Sequence, residues 1–595
     1  MIYNQLSNYK IEKVASDISD ATPFGSFKTG TALTLKLHIS RKSAAHDVKL
    51  IIYNDDNATE TAQPFVFRGI TDGDDIFTAD INLSDCVLLF YKIQYNGTNY
   101  IQNPLNDSDT FQLSVYDKDF TTPDWIKGGV IYQIFVDRFC KSDKQLKAKK
   151  GTVEYNGTPL YADKPGDPID NNDFYGGDLY GVADKLDYIK SLGCNCIYLN
   201  PIFEAHSNHK YDTGDFNKID SMFGGEAAFD HLIAEAEKRD IHIILDGVFN
   251  HVGAESRYFN KFGTYPTKGA YQSKKSPYYK WFKFDEYPDK YDCWWGVDIL
   301  PAIDDSCESF REFIDGVIRK YIKKGISGWR LDVVDELSES FVEQIRTAAK
   351  AENPQSVIVG EVWEDASNKI AYDNRRHYLR GYELDSVMNY PLRDAIINFV
   401  NHGDSDTLYK TSTMIYENYP KQVCDSLMNI LGTHDTERIL SILGSDKHFD
   451  KSNDELSVME LSDVEYRIAV DKLKLASLIC STMYGVPCIY YGDEAGMQGY
   501  RDPFNRRCYP WNHEETALID WYSQIGQLRM NNAEFTDGVF NVLHHDNGVI
   551  VFTRDQIVIA VNVRDIEYKF DKYVISPRSG VVIKHGEVIL NSICS

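Results

Sequence analysis

The stretch GISGWRLDVV (325–334) predicts a buried β-strand with a strongly polar end. The amphipathic segment FVEQIRTAAKAE predicts a helix after it, and SVIVGEVW (356–363) predicts the next strand. Two parallel strands need a crossover connection, which is usually a helix. This strand–helix–strand unit therefore predicts an α/β fold in which helices cover a parallel sheet.

The same alternation of apolar runs and amphipathic helices continues in both directions along the chain. The six further predicted strands are GGVIYQIFVDRF (128–139), CIYLNP (196–201), IHIILDGVFNH (241–251), YELDSVMN (382–389), SLMNILGTHD (426–435) and VPCIYYGDE (486–494). Helical patterns such as CESFREFIDGVIRKYIKKG lie between them. Eight parallel strands separated by helices predict a (β/α)8 TIM barrel over residues 123–533.

Two flanking segments and one insertion do not follow this alternation. Residues 1–122 contain short strand-like runs with turn clusters such as NDDN between them, which predicts an N-terminal β-sandwich. Residues 534–595 predict a C-terminal β domain. The insertion at about 252–297 carries Tyr258, Trp281, Trp294 and Trp295, which serve either as sugar platforms or as a small core.

The composition excludes several classes of partner. The chain has 595 residues and a net charge of −26, so it repels phosphate backbones and anionic membrane surfaces. No stretch approaches the roughly 20 consecutive apolar residues of a membrane helix. The first 25 residues lack an apolar export signal, and the 11 cysteines are scattered, so we expect a cytoplasmic protein with free thiols.

Polar side chains follow four of the predicted strands. They are Asp246, Asn250 and His251 after the third strand, Arg330 and Asp332 on the fourth, Glu361 after the fifth, and His434 and Asp435 after the seventh. Any one of these carboxylates could simply cap a helix. Catalytic groups of such barrels lie at the carboxyl ends of the strands, so we expect four carboxylates at one mouth.

The residue types suggest separate chemical roles. Arg330 and Asp332 are two positions apart on a strand, so they face the same side, and the guanidinium is expected to keep Asp332 ionised as a nucleophile. Glu361 follows the apolar run VIVG, so burial and the neighbouring carboxylates are expected to favour its protonated form. With Asp435 as a third carboxylate, this set suits the oxocarbenium-like transition state of glycoside hydrolysis.

Six motifs in a fixed order make the chain similar to the α-amylase family, glycoside hydrolase family 13. They are GCNCIYLNPIF (193–203), DGVFNH (246–251), GWRLDVVDE (328–336), GEVW (360–363), LGTHDTER (431–438) and GVPCIYYGDEAGM (485–497). The resemblance covers roughly residues 123–595. It implies that Asp332 is the nucleophile, Glu361 the acid/base and Asp435 the transition-state carboxylate, and that the insertion is the family's domain B.

The resemblance also implies substrate-binding residues around the cleavage subsite. It assigns hydrogen bonds with the sugar to His251 and His434, and stacking on that sugar to Tyr211. Asp502 and Arg506, in RDPFNRR, match a pair that grips sugar hydroxyls nearby.

Within the family, FYGGDLYGVADKLDYI and SNHKYDTGDF are most similar to neopullulanase, cyclomaltodextrinase and maltogenic amylase. Glu336 is typical of that group, and Asp246 matches a carboxylate that supports the nucleophile. These relatives act on maltooligosaccharides, cyclodextrins and pullulan, and several cut both α-1,4 and α-1,6 links. The segment LPAID (300–304) departs from the group's pattern, which leaves the subgroup open. The N-terminal domain of those relatives helps form a dimer, so the resemblance implies a homodimer.

Structural calcium is a further implication of the resemblance. Asn250 matches a calcium ligand of many family members, and Gly176 and Asp178 match part of a second site. However, the loop DRFCKSDKQLKAKK turns basic after Asp143 and lacks the cluster of oxygen ligands that a calcium cage needs. The carboxylate chemistry itself requires no cofactor.

Three functions remain open at this point. The leading hypothesis is a retaining hydrolase of α-1,4-glucosidic bonds, with or without α-1,6 activity. An α-glucan transglycosylase would use the same catalytic residues. A non-catalytic carbohydrate-binding or transporter-associated protein is disfavoured, because Asp332, Glu361 and Asp435 are all present.

Overall fold

The computed structural model describes residues 9–15, 25–164, 167 and 169–593. Residues 1–8 and 16–24, on which most of the export-signal expectation rests, lie outside the described residues, as does Cys594. No helix in the described part of the chain is both long enough and apolar enough to cross a membrane.

A β-sandwich precedes the barrel. One antiparallel sheet contains, in spatial order, Tyr9–Ala15, Thr31–Ser40, Asp74–Leu83 and Val66–Thr71. The second contains Ser26–Lys28, Phe111–Tyr116, Leu88–Tyr95, Lys49–Asn54 and Thr59–Pro64, with Asn99–Tyr100 paired to Leu88–Tyr95. Alternate residues such as Leu33, Leu35 and Leu37 are buried between the sheets, as expected for strands with one covered face.

Eight parallel strands form the barrel, which confirms the predicted fold class. In chain order they are Ile131–Ile134, Cys196–Leu199, His242–Gly247, Gly328–Leu331, Val357–Gly360, Ser386–Val387, Met428–Ile430 and Val486–Tyr490. Each of the first five strands pairs with the next, the seventh pairs with the eighth, and the first pairs with the eighth. A parallel bridge between Met388 and Met428 joins the sixth strand to the seventh and closes the ring.

Helices pack around the outside of the barrel. In chain order they are Val136–Phe139, Leu179–Asp184, Leu186–Ser191, Gly225–Glu237, Glu308–Lys323, Glu339–Glu352, Tyr390–His402, Ser405–Asn418, Lys421–Ser426, Ile439–Gly444, Asn453–Val458, Asp463–Thr482, Thr516–Met530 and Glu534–Asp537. The 3-10 turns are Arg41–Ser43, Ser221–Phe223, Tyr279–Trp281, Trp294–Gly296, Val334–Glu336 and Phe504–Arg506.

The strands are shorter than the apolar runs suggest. The fourth ends at Leu331, so Asp332 lies one residue beyond it, and His434 and Asp435 lie in the loop after Ile430. The first ends at Ile134, and a short helix follows in which Arg138 pairs with Asp137. The polar residues therefore lie mostly on the loops that leave the strands, where side chains can face a cleft.

The insertion after the third strand has little regular structure of its own. Its strands are Phe284–Glu286 and Lys290–Tyr291, and a separate hairpin of Phe203–Ala205 and Thr213–Ile219 follows the second barrel strand. Tyr258 and Trp281 are buried in an aromatic core, whereas Trp295 is 77% exposed. Tyr258 and Trp281 thus form a small core, and the role of the exposed Trp295 as a sugar platform remains a prediction.

A five-stranded antiparallel sheet follows the last barrel helices. Its order is Phe540–Asp546, Val549–Arg554, Ile557–Asn562, Ser579–Lys584 and Glu587–Asn591, and the pair Tyr568–Phe570 and Tyr573–Ile575 lies beside it.

The interior of the barrel accounts for much of its stability. Ile244 is fully buried there among residues from neighbouring strands. We expect Ile244→Ala to destabilise the domain by about 2–5 kcal/mol, through lost burial and the cavity left behind. The same change at Ile566, which is 64% exposed, serves as the control. Thermal unfolding followed by circular dichroism measures both, and equal melting midpoints for the two variants would contradict this packing.

Candidate active site

The guanidinium of Arg330 lies at the centre of a cluster of carboxyl groups. Its Nη1 is 2.6 Å from Oδ1 of Asp332 and 2.9 Å from Oδ1 of Asp246, and its Nη2 is 2.9 Å from Oε2 of Glu361. The Arg330 side chain has no exposed surface. A buried charge is tolerated only when it is paired, so these carboxyl groups and the arginine depend on one another.

The pleat of the barrel strands explains why these side chains meet. Ile244 and Val359 point into the barrel, whereas their neighbours Ile243 and Ile358 pack against the helices. Side chains alternate along a strand, so the residue two positions after each inward one also faces inward. Asp246 follows Ile244 in this way, and Glu361 follows Val359. Arg330 has the same parity on the fourth strand, between the outward Trp329 and Leu331.

Both carboxylate oxygens of Glu361 have further donors. The backbone N–H of Val333 donates to Oε2 at 2.8 Å, and Nε1 of Trp363 donates to Oε1 at 3.2 Å. Val333 has φ of 37°, which a β-branched residue rarely adopts. This left-handed conformation directly after Asp332 points the Val333 N–H at Glu361. The strained backbone at Val333 therefore orients the Glu361 carboxyl group.

Burial and Arg330 have opposite effects on the pKa values of the aspartates in this cluster. Burial raises the pKa of Asp332 well above its usual range; the Arg330 guanidinium opposes this shift, and the charges of Glu361 and Asp246 add to it. Burial likewise raises the pKa of Asp246, against the same guanidinium. In both aspartates burial therefore outweighs the attraction of the Arg330 guanidinium, which stabilises their ionised forms.

Asp246 lies behind the nucleophile candidate and away from solvent. Its Oδ2 accepts hydrogen bonds from the hydroxyls of Tyr198 at 2.6 Å and Tyr211 at 2.9 Å. Its side chain has no exposed surface. Asp246 is therefore placed to hold Arg330 and Tyr211 rather than to touch substrate.

Tyr211 connects this cluster to Asp435. Its hydroxyl lies 2.5 Å from Nε2 of His434, and the two rings are stacked with centroids 5.2 Å apart. The same Nε2 is 3.0 Å from Oδ2 of Asp435. Burial lowers the pKa of His434 well below its usual value, so the ring is neutral at pH 7. Burial raises the pKa of Asp435, and Arg506 opposes that shift.

Arg506 and Asp502 form the adjoining edge of the site. Arg506 Nη2 lies 3.4 Å from Oδ1 of Asp435, and its Nη1 lies 3.2 Å from Oδ1 of Asp502. Its Nε donates to the carbonyl of His434 at 2.9 Å. Half of the Asp502 side chain is exposed, so this pair can meet a ligand in the cleft.

His251 is buried behind Tyr211. Its Nε2 is 3.1 Å from the carbonyl oxygen of Tyr211, and its ring stacks on Trp294 with centroids 5.4 Å apart. These contacts hold Tyr211 and Trp294 in place. Direct contact between His251 and a sugar remains a prediction.

Glu336 does not join the arginine cluster. It lies at the rim, where its Oε1 accepts hydrogen bonds from Nε1 of Trp295 at 2.9 Å and from the hydroxyl of Tyr372. Trp295 and Tyr372 are 77% and 60% exposed. The carboxylate thus holds two aromatic rings from different segments beside the cleft.

The predicted calcium ligands have other partners. Oδ1 of Asp178 accepts the N–H of Gly181, which caps the helix Leu179–Asp184, and Oδ2 accepts the N–H and hydroxyl of Ser142. The N–H of Gly176 donates to Asp137. Both carboxylate oxygens of Asp178 thus already accept hydrogen bonds, and calcium ligation by Gly176 and Asp178 remains a prediction. No group of three or more His, Cys, Asp or Glu side chains within the described ranges is arranged to hold a metal.

The side chain of Asn250 lies beside a histidine. Its Nδ2 is 3.4 Å from Nδ1 of His251, and its backbone carbonyl accepts the N–H of Ile303. Calcium ligation by Asn250 remains a prediction.

The sequence motifs assigned no role to several residues of this site. Tyr198 holds Asp246, Gln133 lies 3.0 Å from Nδ1 of His434, Trp363 holds Glu361, and Tyr372 holds Glu336. Strand parity could have indicated Tyr198 and Gln133, because both lie on the first two barrel strands. Trp363 is part of the quoted motif GEVW. No sequence signal indicated Tyr372.

The family "Alpha amylase, catalytic domain" matches residues 133–537, which is more than half of the chain. The chain belongs to the α-amylase family.

Members of this family with similar sequences are named α-glucan hydrolases. The amylopullulanase of Thermoanaerobacterium saccharolyticum is 37% identical over 89% of this chain and 45% of its own length. Neopullulanase 2 of Thermoactinomyces vulgaris is 36% identical over 72% of this chain and 67% of its own. The chain spans less than half the length of the amylopullulanases that it matches.

A solved α-amylase-family structure has the same architecture. The cyclic α-maltosyl-(1→6)-maltose hydrolase from Arthrobacter globiformis superposes with a TM-score of 0.67 at 29% identity. The match covers 78% of this chain and 99% of that one. The fold predicted from the sequence is thus shared with a relative of known structure.

The buried histidine makes the stability of the site depend on pH. Burial lowers the pKa of His251 to about 4, against an ordinary value near 6.5. Its neutral form stabilises the folded state fully above pH 6.5, and up to about 3 kcal/mol of this is lost as the pH falls to 4. We expect His251→Gln to reduce the fall in melting temperature between pH 6.5 and 4. The control is His46→Gln at an exposed position; identical pH profiles for wild type and His251→Gln would contradict this assignment.

Proposed function

We propose that this chain is a retaining glycoside hydrolase that cleaves α-1,4-glucosidic bonds in short glucans, and α-1,6 bonds as well. The observation that carries the proposal is the meeting of Asp332, Glu361 and Asp246 on the single buried guanidinium of Arg330. Membership of the α-amylase family and relatives named amylopullulanase and neopullulanase support the substrate class.

The proposed reaction has two steps. In the first, a carboxylate oxygen of Asp332 attacks the anomeric carbon while Glu361 protonates the departing glycosidic oxygen, so the C–O bond breaks and a glycosyl ester forms. In the second, Glu361 takes a proton from water, which attacks the same carbon and releases Asp332. Asp435 stabilises the positive charge that develops on the sugar.

The two proposed steps require different protonation states of neighbouring carboxyl groups. Donation by Glu361 requires the proton on that residue at the moment of attack, and attack requires Asp332 to be ionised. Both carboxyl groups lie on the Arg330 guanidinium, so the two groups that must differ in protonation are held side by side. These steps use carboxyl groups alone.

Transglycosylation is the second candidate function, and the exposed aromatic rings at the rim of the cleft favour it. A glycosyl ester can be attacked by a sugar hydroxyl instead of water if an acceptor is held beside it. The exposed rings of Trp295 and Tyr372 offer flat apolar faces of the kind that sugars stack on. The ratio of hydrolysis to transfer then depends on how well these rings retain an acceptor.

The proposal extends to location and assembly. The described cysteines are free thiols, which supports a reducing compartment such as the cytoplasm. Val66, Phe67 and Ile70 expose about half of their surface on an edge strand of the N-terminal sheet. An exposed apolar edge of this kind supports contact with a second copy of the chain.

Removal of the proton donor tests the chemistry. We expect Glu361→Gln to lower kcat on maltoheptaose by at least about 1,000-fold, because the amide cannot protonate the leaving oxygen. The matched control is Glu364→Gln, three positions away at an exposed site, which we expect to retain activity. A purified, folded Glu361→Gln enzyme with wild-type kcat would remove Glu361 from this role.

A product profile tests the substrate class. We expect wild-type enzyme to shorten maltoheptaose, to open β-cyclodextrin and to release panose from pullulan. Rapid attack on starch with inert cyclodextrin would instead indicate an ordinary α-amylase. Adding excess maltose measures transfer, because products longer than the substrate appear only if an acceptor sugar competes with water.

A further inference from the structure

A small hairpin outside the arginine cluster reaches the rim of the cleft. Its strands are Ile370–Ala371 and Asn374–Arg375, and we call residues 370–375 the rim hairpin. Its two tip residues, Tyr372 and Asp373, have φ of 51° and 61°. Positive φ at both central residues defines a tight turn that fixes the direction of the tip. That tip presents Tyr372 to Glu336.

The chain around Glu336 is fastened to the same segment. Arg376 Nη2 donates to the carbonyl of Asp335 at 2.6 Å, and Nη1 donates to that of Leu337 at 3.2 Å. The hydroxyl of Tyr378 donates to the Asp335 carboxylate at 2.6 Å. A displacement of the segment that carries the rim hairpin would therefore displace Glu336 and the indole that it holds.

The base of the rim hairpin is held by the N-terminal domain. Asp55 accepts two hydrogen bonds from Arg375, at 2.7 and 3.2 Å. Asp56 accepts two from Arg380, at 2.7 and 2.6 Å. Both aspartates belong to the turn NDDN (54–57) between the strands Lys49–Asn54 and Thr59–Pro64.

Further contacts of the N-terminal domain lie on both sides of these ion pairs. The side chain of Gln112 bonds to Ser367 and Asn368 before the hairpin. After it, the hydroxyl of Tyr382 donates to Asp117 at 2.6 Å. Residues 367–382 are thus attached to the sandwich at their beginning, middle and end, although they belong to the barrel.

The geometry of the ion pairs makes them more than ordinary surface contacts. Exposed ion pairs contribute little, because the charges are screened and the side chains must be ordered. Here both pairs are bidentate, and each of the four side chains is no more than about a quarter exposed. A bidentate pair fixes the relative orientation of the two side chains as well as the distance between them.

The rim aromatics are linked by a short stretch of chain to the proposed proton donor. Asp435, Tyr211 and Arg506 form one flank of the site, where the proposed function places the glycosyl unit. Glu361, which protonates the leaving oxygen, contacts Val333, and the turn Val334–Glu336 continues from there to Glu336. The proposed function therefore places the rings bonded to Glu336 beside the departing sugar.

We propose that the N-terminal domain positions this part of the cleft, with Asp55 and Asp56 as positioning residues that hold Tyr372, Glu336 and Trp295 against sugars beyond the cleaved bond. This inference rests on the proposed function. According to this proposal, the N-terminal sandwich contributes to the affinity of its own chain for long substrates and for acceptor sugars.

The test compares D55N/D56N with wild type on two substrates. Maltoheptaose extends past the cleaved bond, whereas 4-nitrophenyl α-maltoside places only one small ring there. We expect KM for maltoheptaose to rise about fivefold, equivalent to roughly 1 kcal/mol, with kcat and the constants for the nitrophenyl substrate unchanged. We also expect this variant to transfer fewer glycosyl units to added maltose.

The matched control is D47N/D72N, which removes the same charge from exposed turns of the same domain. A second readout is independent of activity: cleavage by trypsin after Arg375 or Arg376, located by mass spectrometry. We expect D55N/D56N to be cut faster there than the control, at an unchanged melting temperature. A charge exchange, D55R with R375D, is expected to keep KM and cleavage after Arg376 at their wild-type values; because it removes the trypsin site at residue 375, only cleavage after Arg376 is compared.

Two results would overturn the inference. Faster cleavage with an unchanged KM for maltoheptaose would show that the hairpin does not serve the substrate. Unchanged cleavage and unchanged KM would show that Asp55 and Asp56 do not hold it. Wild-type enzyme that is inactive on every glucan would instead refute the proposed function, while the trypsin comparison would still report whether the aspartates hold the hairpin.

Discussion

The buried guanidinium of Arg330 is the interaction on which the site depends. Three carboxyl groups from three neighbouring strands approach one cation that has no contact with solvent. Taking such a charge out of water is costly, and removing one partner of a buried pair costs about 3–5 kcal/mol. The three carboxyl groups reach Arg330 only if the strands keep their register. The geometry of the barrel and the chemistry of the site therefore depend on the same contacts.

That shared charge also influences the protonation of the site. Burial raises the pKa of Asp332 and of Asp246, and the Arg330 guanidinium opposes the shift in both. A retaining mechanism needs one carboxyl group charged and one protonated at the same time. The tyrosines around Asp246 and the strained turn at Val333 then decide how each group is oriented.

Much of this architecture could be predicted from the sequence. The apolar runs located all eight barrel strands, because buried parallel strands are continuous hydrophobic stretches. Strand parity placed Arg330 beside Asp332. What could not be predicted depends on backbone detail or on distant contacts: the left-handed Val333, the burial that raises the pKa of Asp332, and the hairpin that brings Tyr372 to Glu336. The contacts of Asp178 also depend on distant residues, since the motif does not reveal that Ser142 and Gly181 donate to its carboxylate oxygens.

Direct observation of the glycosyl ester tests the central claim. Glu361→Gln enzyme treated with α-maltosyl fluoride should form the ester, because fluoride leaves without a proton donor, and should hydrolyse it slowly because no base activates water. Peptide mass spectrometry after rapid acid quenching should then find one maltosyl unit on the peptide that carries Asp332. Modification of another carboxyl group, or fluoride release at full rate with no modified peptide, would contradict the account.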